Sequence, residues 1–144
     1  MHTGLRKVAG AVDEQHSRAA LTPSEWAAMR DIVMEHRDAA TARVVALERE
    51  FDGIVESAAG EATDDEHDPE GATIAFERAQ LSTLLTQARR QLVDLDQALE
   101  RLRAGTYGTC EGCRGPIAVE RLQARPATTT CIACAPKDAA ATRQ

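Results

Sequence analysis

The four cysteines of this 144-residue chain restrict its fold more than any other feature. They form two C-x2-C pairs, Cys110 with Cys113 and Cys131 with Cys134, and these pairs are separated by seventeen residues. This spacing is typical of a site in which four thiolates hold one zinc ion tetrahedrally. Because four thiolates fill the coordination sphere, no position is left for water or substrate. We therefore predict one structural Zn²⁺ and no catalytic metal.

Other uses of paired cysteines have to be weighed against zinc. Two disulfides would require an oxidising compartment, and the chain shows no secretion signal. A redox-active C-x-x-C motif needs a βαβ context, which the sequence does not indicate. An iron–sulfur cluster also takes four thiolates, but a pair of C-x2-C motifs favours zinc.

The composition indicates packed helices and not a thick sheet core. Hydrophobic residues make up 43% of the chain, but aromatic residues only 3%. The net charge of −6 opposes sequence-specific binding of nucleic acid, because DNA-binding surfaces are basic. No apolar run is long enough to span a membrane. We expect a cytoplasmic protein that binds neither a membrane nor a specific DNA sequence.

Two long helices are predicted from their boundary signals and heptad periodicity. The first begins at Thr22-Pro23-Ser24-Glu25, a capping box with proline at the first helical position, and ends near Gly60. The second begins at Asp68-Pro69-Glu70 and ends near Gly105, which can form a left-handed cap. Apolar residues recur every seven positions and form an a/d seam in both helices. The seam comprises Trp26, Val33, Ala40, Val44, Leu47, Phe51, Ile54 and Ala58, then Ile74, Leu81, Leu85, Ala88, Leu92, Leu95, Leu99 and Leu102.

Matching seams and a short connection predict a fold dominated by α-helix, in which a long antiparallel coiled-coil hairpin carries a small four-cysteine zinc finger. Each helix should be roughly 50 Å long at 1.5 Å per residue. An intermolecular coiled coil would show the same seam, but the short connection favours a monomer. The predicted organisation is a flexible or loosely docked arm (1–21), the hairpin (22–106) with its tip at 60–70, the finger (107–138) and a frayed tail (139–144).

The finger segment carries two further expectations. Residues 117–119 are apolar and β-branched in part, so a short strand is predicted there. Arg114, Arg121 and Arg125 lie between the cysteine pairs. A four-thiolate zinc site has a formal charge of −2, which nearby arginines would offset.

The residues around the cysteines resemble the zinc finger of the DksA/TraR family, bacterial regulators that bind RNA polymerase. The resemblance rests on Tyr107-Gly-x-Cys110-x-x-Cys113, Ile117-x-x-x-Arg121-Leu122-x-Ala124-x-Pro126 and Cys131-x-x-Cys134. It implies a hairpin that enters the secondary channel, the pore leading to the polymerase active centre, and modulates initiation without reading DNA sequence. The connection fits this role, because Glu56 to Glu70 includes seven acidic residues and no lysine or arginine. The tip residues implied to contact polymerase are Asp64, Asp65, Asp68, Glu70 and Ala72.

The chain departs from the family pattern at three places. The family tip reads D-x-x-D-x-A, but His67 falls at the first acid and Glu70 at the second. Arg114 stands where the family usually has glycine after the second cysteine. Members that bind guanosine tetraphosphate use basic residues where the hairpin base meets the finger. Asp94 and Asp96 occupy that part of the second helix, so we do not expect such a nucleotide site here.

Three competing classes of function differ in what they require. A zinc-stabilised coiled-coil interaction module with a non-polymerase partner explains everything except the family motif between the cysteines. A zinc-finger DNA binder could use the finger arginines, but the sequence shows no basic helix and no aromatic stacking platform. An enzyme would need an open metal position, a nucleophile motif or a phosphate-binding glycine loop, and none is present. No catalytic residue is predicted.

Overall fold

The computed structural model describes residues 21–60 and 69–136. These residues contain three helices, α1 (Pro23–Gly60), α2 (Pro69–Ala104) and α3 (Val119–Ala124). The first two are 38 and 36 residues long, and they pair antiparallel as a hairpin. The prediction of a helical hairpin joined to a four-cysteine segment is thereby confirmed. Residues 61–68, which include Asp64, Asp65 and Asp68, lie outside the described residues, as do 1–20 and 137–144.

The two helix ends nearest the finger are stabilised as their local sequences predict. At the start of α1, the Thr22 hydroxyl accepts from the Glu25 N–H at 3.2 Å, and the Glu25 carboxylate accepts from the Thr22 N–H at 2.9 Å. This reciprocal pair is a capping box. At the end of α2, Gly105 has φ +77°, and the Thr106 N–H donates to the Arg101 carbonyl at 2.9 Å. Gly105 therefore closes α2 with a Schellman motif.

The main core lies at the base of the hairpin, where the finger packs onto both long helices. Met29 and Val33 from α1 form one cluster with Leu95 from α2 and with Leu122 from α3. Each is at most 2% exposed. Because α3 adds a third layer, burial at the base extends beyond a two-helix seam. The buried hydrophobic residues of the described chain are Met29, Val33, Ala40, Val44, Leu81, Leu85, Ala88, Leu95, Ala98, Leu102, Tyr107, Cys110, Ile117 and Leu122.

Ion pairs across the hairpin define its register. The Arg37 Nε donates to Asp96 at 2.8 Å, and the Arg89 Nη2 donates to Glu48 at 2.7 Å. Arg37 stands at a seam position where an apolar residue would be usual. Its hydrogen bond to Asp96, together with that carboxylate's charge, raises the pKa of Arg37. The seam therefore accommodates arginine near the base by turning its guanidinium to the edge of the interface.

The predicted strand over residues 117–119 is wrong. Ile117 makes a single pairing bond, from its N–H to the Gly108 carbonyl at 2.7 Å, and α3 begins two residues later at Val119. The described residues contain one isolated antiparallel bridge, between Thr109 and Pro116. Residues 117 and 118 are an irregular connection between the turn of the first cysteine pair and α3. Among the described helices, none has an apolar stretch that could cross a bilayer.

Candidate metal centre

The structure brings all four cysteine sulfurs into one cluster. The Sγ atoms of Cys110, Cys113, Cys131 and Cys134 all lie within 4.8 Å of one another. Tetrahedral zinc with Zn–S bonds of about 2.3 Å places its sulfurs about 3.8 Å apart. The Cys113 and Cys131 sulfurs are separated by 3.8 Å. The four thiolates therefore fit one tetrahedral metal ion, and they fill its coordination sphere.

The first cysteine pair is shaped by a tight backbone turn. The Arg114 N–H donates to the Cys110 carbonyl at 2.9 Å, and the Cys110 N–H donates to the Gly115 carbonyl at 2.8 Å. These bonds fold residues 110–115 back on themselves and present both sulfurs on the same side. Cys110 is fully buried, whereas Cys113 is exposed. The site thus lies at the surface of the finger with one ligand anchored in the core.

The second cysteine pair approaches this turn closely enough to require a glycine. A β-carbon at Gly112 would lie 3.0 Å from the Cys134 sulfur and 3.1 Å from its β-carbon. Contacts of that length force a shift of the metal ligand itself. Gly112 therefore has a steric role in the site that its position in C-E-G-C alone did not reveal.

The protein surroundings shift the pKa values of two of the thiols in opposite directions. Burial raises the pKa of Cys110, but backbone N–H groups of Cys131, Cys113 and Gly112 outweigh it and lower the pKa to about 6. The Cys131 N–H donates to the Cys110 sulfur at 3.3 Å. Hydrogen bonds with Cys131 and Cys110 raise the pKa of Cys134 to about 12. A divalent cation at the centre stabilises every thiolate and therefore lowers the pKa of all four cysteines, including Cys134. Metal binding should thus release protons.

Three side chains hold the segment that leads into the second cysteine pair. The buried Tyr107 hydroxyl donates to the Pro126 carbonyl at 2.7 Å, and Arg101 of α2 donates to the Ala127 carbonyl at 3.3 Å. Arg121 of α3 donates from Nε to the Thr130 carbonyl at 2.8 Å. These bonds fix the backbone directly before Cys131. They also connect the metal centre to the end of α2.

Arg121 was expected to offset the charge of the zinc–thiolate site. Its hydrogen bonds to Thr130 and Thr128 show a second role, in holding the backbone beside the site. Tyr107, Arg121 and Pro126 all belong to the motif that carried the family resemblance. The motif therefore marked these positions, but it gave no indication that Tyr107 donates to the Pro126 carbonyl or that Arg121 donates to the Thr130 carbonyl.

Tyr107 also joins the finger to the start of α1. Its ring meets Trp26 edge-on, with centroids 6.2 Å apart and planes at 87°. Burial raises the pKa of Tyr107 to about 12, although the positive charge of Arg101 acts in the opposite direction. The phenol is therefore neutral at physiological pH and remains a hydrogen-bond donor.

Arg114 adopts the left-handed backbone conformation that favours glycine, with φ +62°. Replacing Arg114 with glycine should raise the free energy of unfolding of the zinc-loaded protein by about 0.5–1 kcal/mol. Relief of the left-handed penalty, about 1–2 kcal/mol for a residue with a β-carbon, exceeds the added entropy of glycine in the unfolded chain. Urea unfolding of wild type and variant measures the difference.

Arg114→Ala is the matched control, because it removes the same charge but keeps the β-carbon. It should give no such gain. Equal stabilisation by alanine and glycine would attribute the effect to charge and contradict the backbone explanation.

An open groove of about 740 Å³ lies at the base of the hairpin. Trp26, Met34 and Leu99 form part of its apolar lining. Its charged lining contains both signs, namely Arg30, Arg37, Arg103, Asp38, Asp96 and Glu100. Three acids balance the three arginines, and Arg37 is already paired with Asp96, so the groove has no net positive charge to favour a phosphate-rich ligand. The absence of a guanosine tetraphosphate site stays a prediction.

Two of the implied tip residues belong to the described chain. Glu70 and Ala72 lie in the first turn of α2, and both are exposed. They are separated along α2 from the metal centre by the length of the helix, roughly 50 Å. The structure therefore brings the four cysteines together and places Glu70 and Ala72 at the opposite end of the hairpin.

Comparison with known proteins agrees with this arrangement of finger and hairpin. Residues 105–138 match the model of the prokaryotic dksA/traR C4-type zinc finger. The structure of transcription factor DksA2 from Pseudomonas aeruginosa superposes with a TM-score of 0.69 at 27% sequence identity. The superposition covers 85% of this chain and 88% of that one. The finger therefore matches that of the DksA/TraR family, and the chain as a whole is similar in fold to DksA2.

Sequence relatives match over shorter segments. The RNA polymerase-binding transcription factor DksA of Caulobacter vibrioides is 43% identical over 44 residues, which are 31% of this chain and 31% of that protein. The uncharacterized protein YteA of Bacillus subtilis is 38% identical over 66 residues, 46% of this chain and 28% of that protein. The matches thus span less than a third of the length of these relatives.

Proposed function

We propose that this chain is a cytoplasmic transcription regulator that binds bacterial RNA polymerase and inserts its hairpin into the secondary channel. The observation that supports this most is the joint presence of a DksA/TraR-type finger and a hairpin that superposes on DksA2 along most of the chain. The finger alone would fit many partners. The hairpin adds the length and narrow cross-section that a channel requires.

The geometry of the hairpin supports insertion from one end. Two paired helices, each about 10–12 Å wide, make a rod roughly 50 Å long that projects from the finger. At the base, the finger adds a third layer to the two helices and makes that end broader than the rod, so the base would remain at the entrance. In this arrangement the acidic segment from Glu56 to Glu70 arrives first. Its carboxylates would contact basic polymerase residues or perturb magnesium ligation at the active centre.

In this proposal, the acidic residues of the tip produce the effect on transcription. We expect that changing the tip acids to amides (Asp64→Asn, Asp65→Asn, Asp68→Asn and Glu70→Gln) removes the effect of the protein on transcription from a ribosomal promoter. The reason is that amides keep the size of the side chains but carry no negative charge, so they cannot neutralise cations and are weaker ligands for magnesium. Purified polymerase and a run-off assay measure this effect, and a pull-down with core polymerase measures binding.

A control of similar charge is available at the hairpin base. Asp31→Asn, Glu35→Gln and Asp38→Asn remove three acids from exposed positions of α1, and this variant should act like wild type. Equal loss of activity in both variants would implicate net charge and not the tip. Failure of wild type to bind core polymerase would refute the proposal as a whole.

A further inference from the structure

The outer surface of α2 in its half nearest the tip carries a continuous face without charge. Its members recur at i, i+3, i+4, i+7, i+8 and i+11, and therefore lie on one side of the helix. At 1.5 Å per residue the face is roughly 17 Å long. All six residues are exposed. This uncharged face consists of Phe76, Ala79, Gln80, Thr83, Leu84 and Gln87.

The absence of charge is specific to α2. The pairs Arg37–Asp96 and Glu48–Arg89 set residues 79–88 of α2 alongside roughly residues 47–56 of α1. In α1 that segment contains five charged residues, Glu48, Arg49, Glu50, Asp52 and Glu56. In α2 the ten residues 79–88 contain none, in a chain that is 28% charged. At the same depth along the rod, one side is strongly charged and the other carries no charge.

The face presents apolar surface that the fold does not use. Phe76 is 62% exposed and Leu84 is 38% exposed, because the seam on this part of α2 is formed by Ile74, Leu81 and Leu85. Ala79, Gln80, Thr83 and Leu84 line a shallow, open part of this face. A partner could approach it without entering a closed cavity.

The hydroxyl of Thr83 on this face, and that of the neighbouring Thr86, are compatible with burial. The Thr83 hydroxyl donates to the Ala79 carbonyl at 3.1 Å, and the neighbouring Thr86 hydroxyl donates to the Ser82 carbonyl at 2.9 Å. Both protons are therefore satisfied within the helix. A partner could cover these residues without leaving a hydroxyl donor unpaired.

We propose that the uncharged face is a protein-docking surface that packs against an uncharged, aliphatic wall of RNA polymerase when the hairpin is inserted. This inference rests on the proposed function and deepens it, because it assigns the orientation of the hairpin in the channel. The α2 side lies against the wall, and the charged α1 side faces the water-filled part of the channel. The anchors Phe76 and Leu84 act as in other helices that bind a groove through residues one or two turns apart.

Charge decides between the classes of partner. A nucleic-acid strand requires cations along its path, and this face has none. Burying the α1 side at the same level would strand several ions unless the partner supplied a counter-charge for each. Burying the α2 side requires no counter-charge, only hydrogen-bond partners for the amides of Gln80 and Gln87. An uncharged protein wall is therefore the surface that complements it.

The test compares substitutions on the two sides of the hairpin. Leu84→Gln and Phe76→Gln change the uncharged face, and Val55→Gln changes α1 at a residue that is also 38% exposed. Glutamine is a good helix former, and circular dichroism and zinc content check that each variant is folded. Equilibrium binding to purified core polymerase is measured by fluorescence anisotropy. We expect at least tenfold weaker binding for each α2 variant and a change below twofold for Val55→Gln.

Each outcome bears on a different claim. If wild type binds and the α2 variants bind equally well, or if Val55→Gln weakens binding as much as Leu84→Gln, the docking surface is refuted while the proposed function stands. If wild type does not bind, the proposed function fails and this inference with it. A concentration-dependent dimer in sedimentation that Leu84→Gln abolishes would assign the face to self-association and also overturn the inference.

Discussion

Replacing Cys110 with serine is expected to abolish zinc binding and to unfold residues 106–136, while the helical signal of the hairpin largely persists. Metal binding at four-thiolate sites supplies about 10–16 kcal/mol, and in small finger segments this energy drives folding. The finger itself contributes only four buried hydrophobic residues to the core, Tyr107, Cys110, Ile117 and Leu122. Those residues cannot replace energy of that size.

The measurement combines metal analysis with spectroscopy. A chromophoric chelator should release one equivalent of zinc from wild type and none from Cys110→Ser, and circular dichroism should show most of the helix retained. Stripping wild-type protein with the chelator should reproduce the variant's spectrum, which controls for side effects of the serine. A Cys110→Ser protein that keeps one equivalent of zinc and the wild-type spectrum would contradict a four-thiolate structural site.

Removing the Tyr107 side chain should produce the second large effect. Tyr107→Ala is expected to lower the free energy of unfolding by about 3–5 kcal/mol, since it deletes a buried ring at the junction of finger and hairpin. Tyr107→Phe keeps the ring but leaves the Pro126 carbonyl without its donor, which costs about 1–3 kcal/mol. Loss of the junction should also free the finger to move relative to the hairpin.

Trp26 provides the measurement, because it is the only tryptophan and its ring contacts Tyr107. Urea unfolding of zinc-saturated protein, followed by its fluorescence, should rank wild type above Tyr107→Phe and Tyr107→Phe above Tyr107→Ala. Thr109→Ser, at an exposed position two residues away, should differ from wild type by less than 0.5 kcal/mol. A Tyr107→Ala variant as stable as this control would show that the junction is not cooperative.

The hairpin could be predicted from the sequence because its determinants are local. The capping box at Thr22, the proline at each helix start and the glycine at position 105 act within a few residues of chain. The structure places both long helices within one or two residues of the predicted boundaries. The heptad spacing likewise depends only on the period of the helix.

Burial at the hairpin base could not be predicted in the same way. Met29 and Ala98 are among the most buried residues, but neither belongs to the predicted seam. Both belong to the cluster that also contains Leu122, which comes from a distant part of the sequence. A heptad pattern describes contact between two helices and contains no information about a third element.

The metal centre, like the hairpin, could be predicted from the sequence only in part. Its ligands follow from cysteine spacing, since zinc needs four donors and the turns present them in pairs. The steric role of Gly112 and the backbone bonds of Arg121 depend on how residues far apart in sequence approach each other. The left-handed conformation of Arg114 was indicated by the family's glycine at that place. The strand expected at Ile117 failed because α3 begins at Val119 and leaves no room for paired strand residues there.

Burial between the two long helices decreases from the finger toward the tip. Among described residues, none between 45 and 60 and none between 70 and 80 is buried, whereas the base contributes a continuous core. The free energy of local opening should therefore fall steadily from the finger toward the tip, with amide exchange slow near Leu95 and fast near Phe51. A partner that covers the outer third would supply contacts that the chain itself does not provide. Binding of a partner at that end would therefore stabilise the paired helices against local opening.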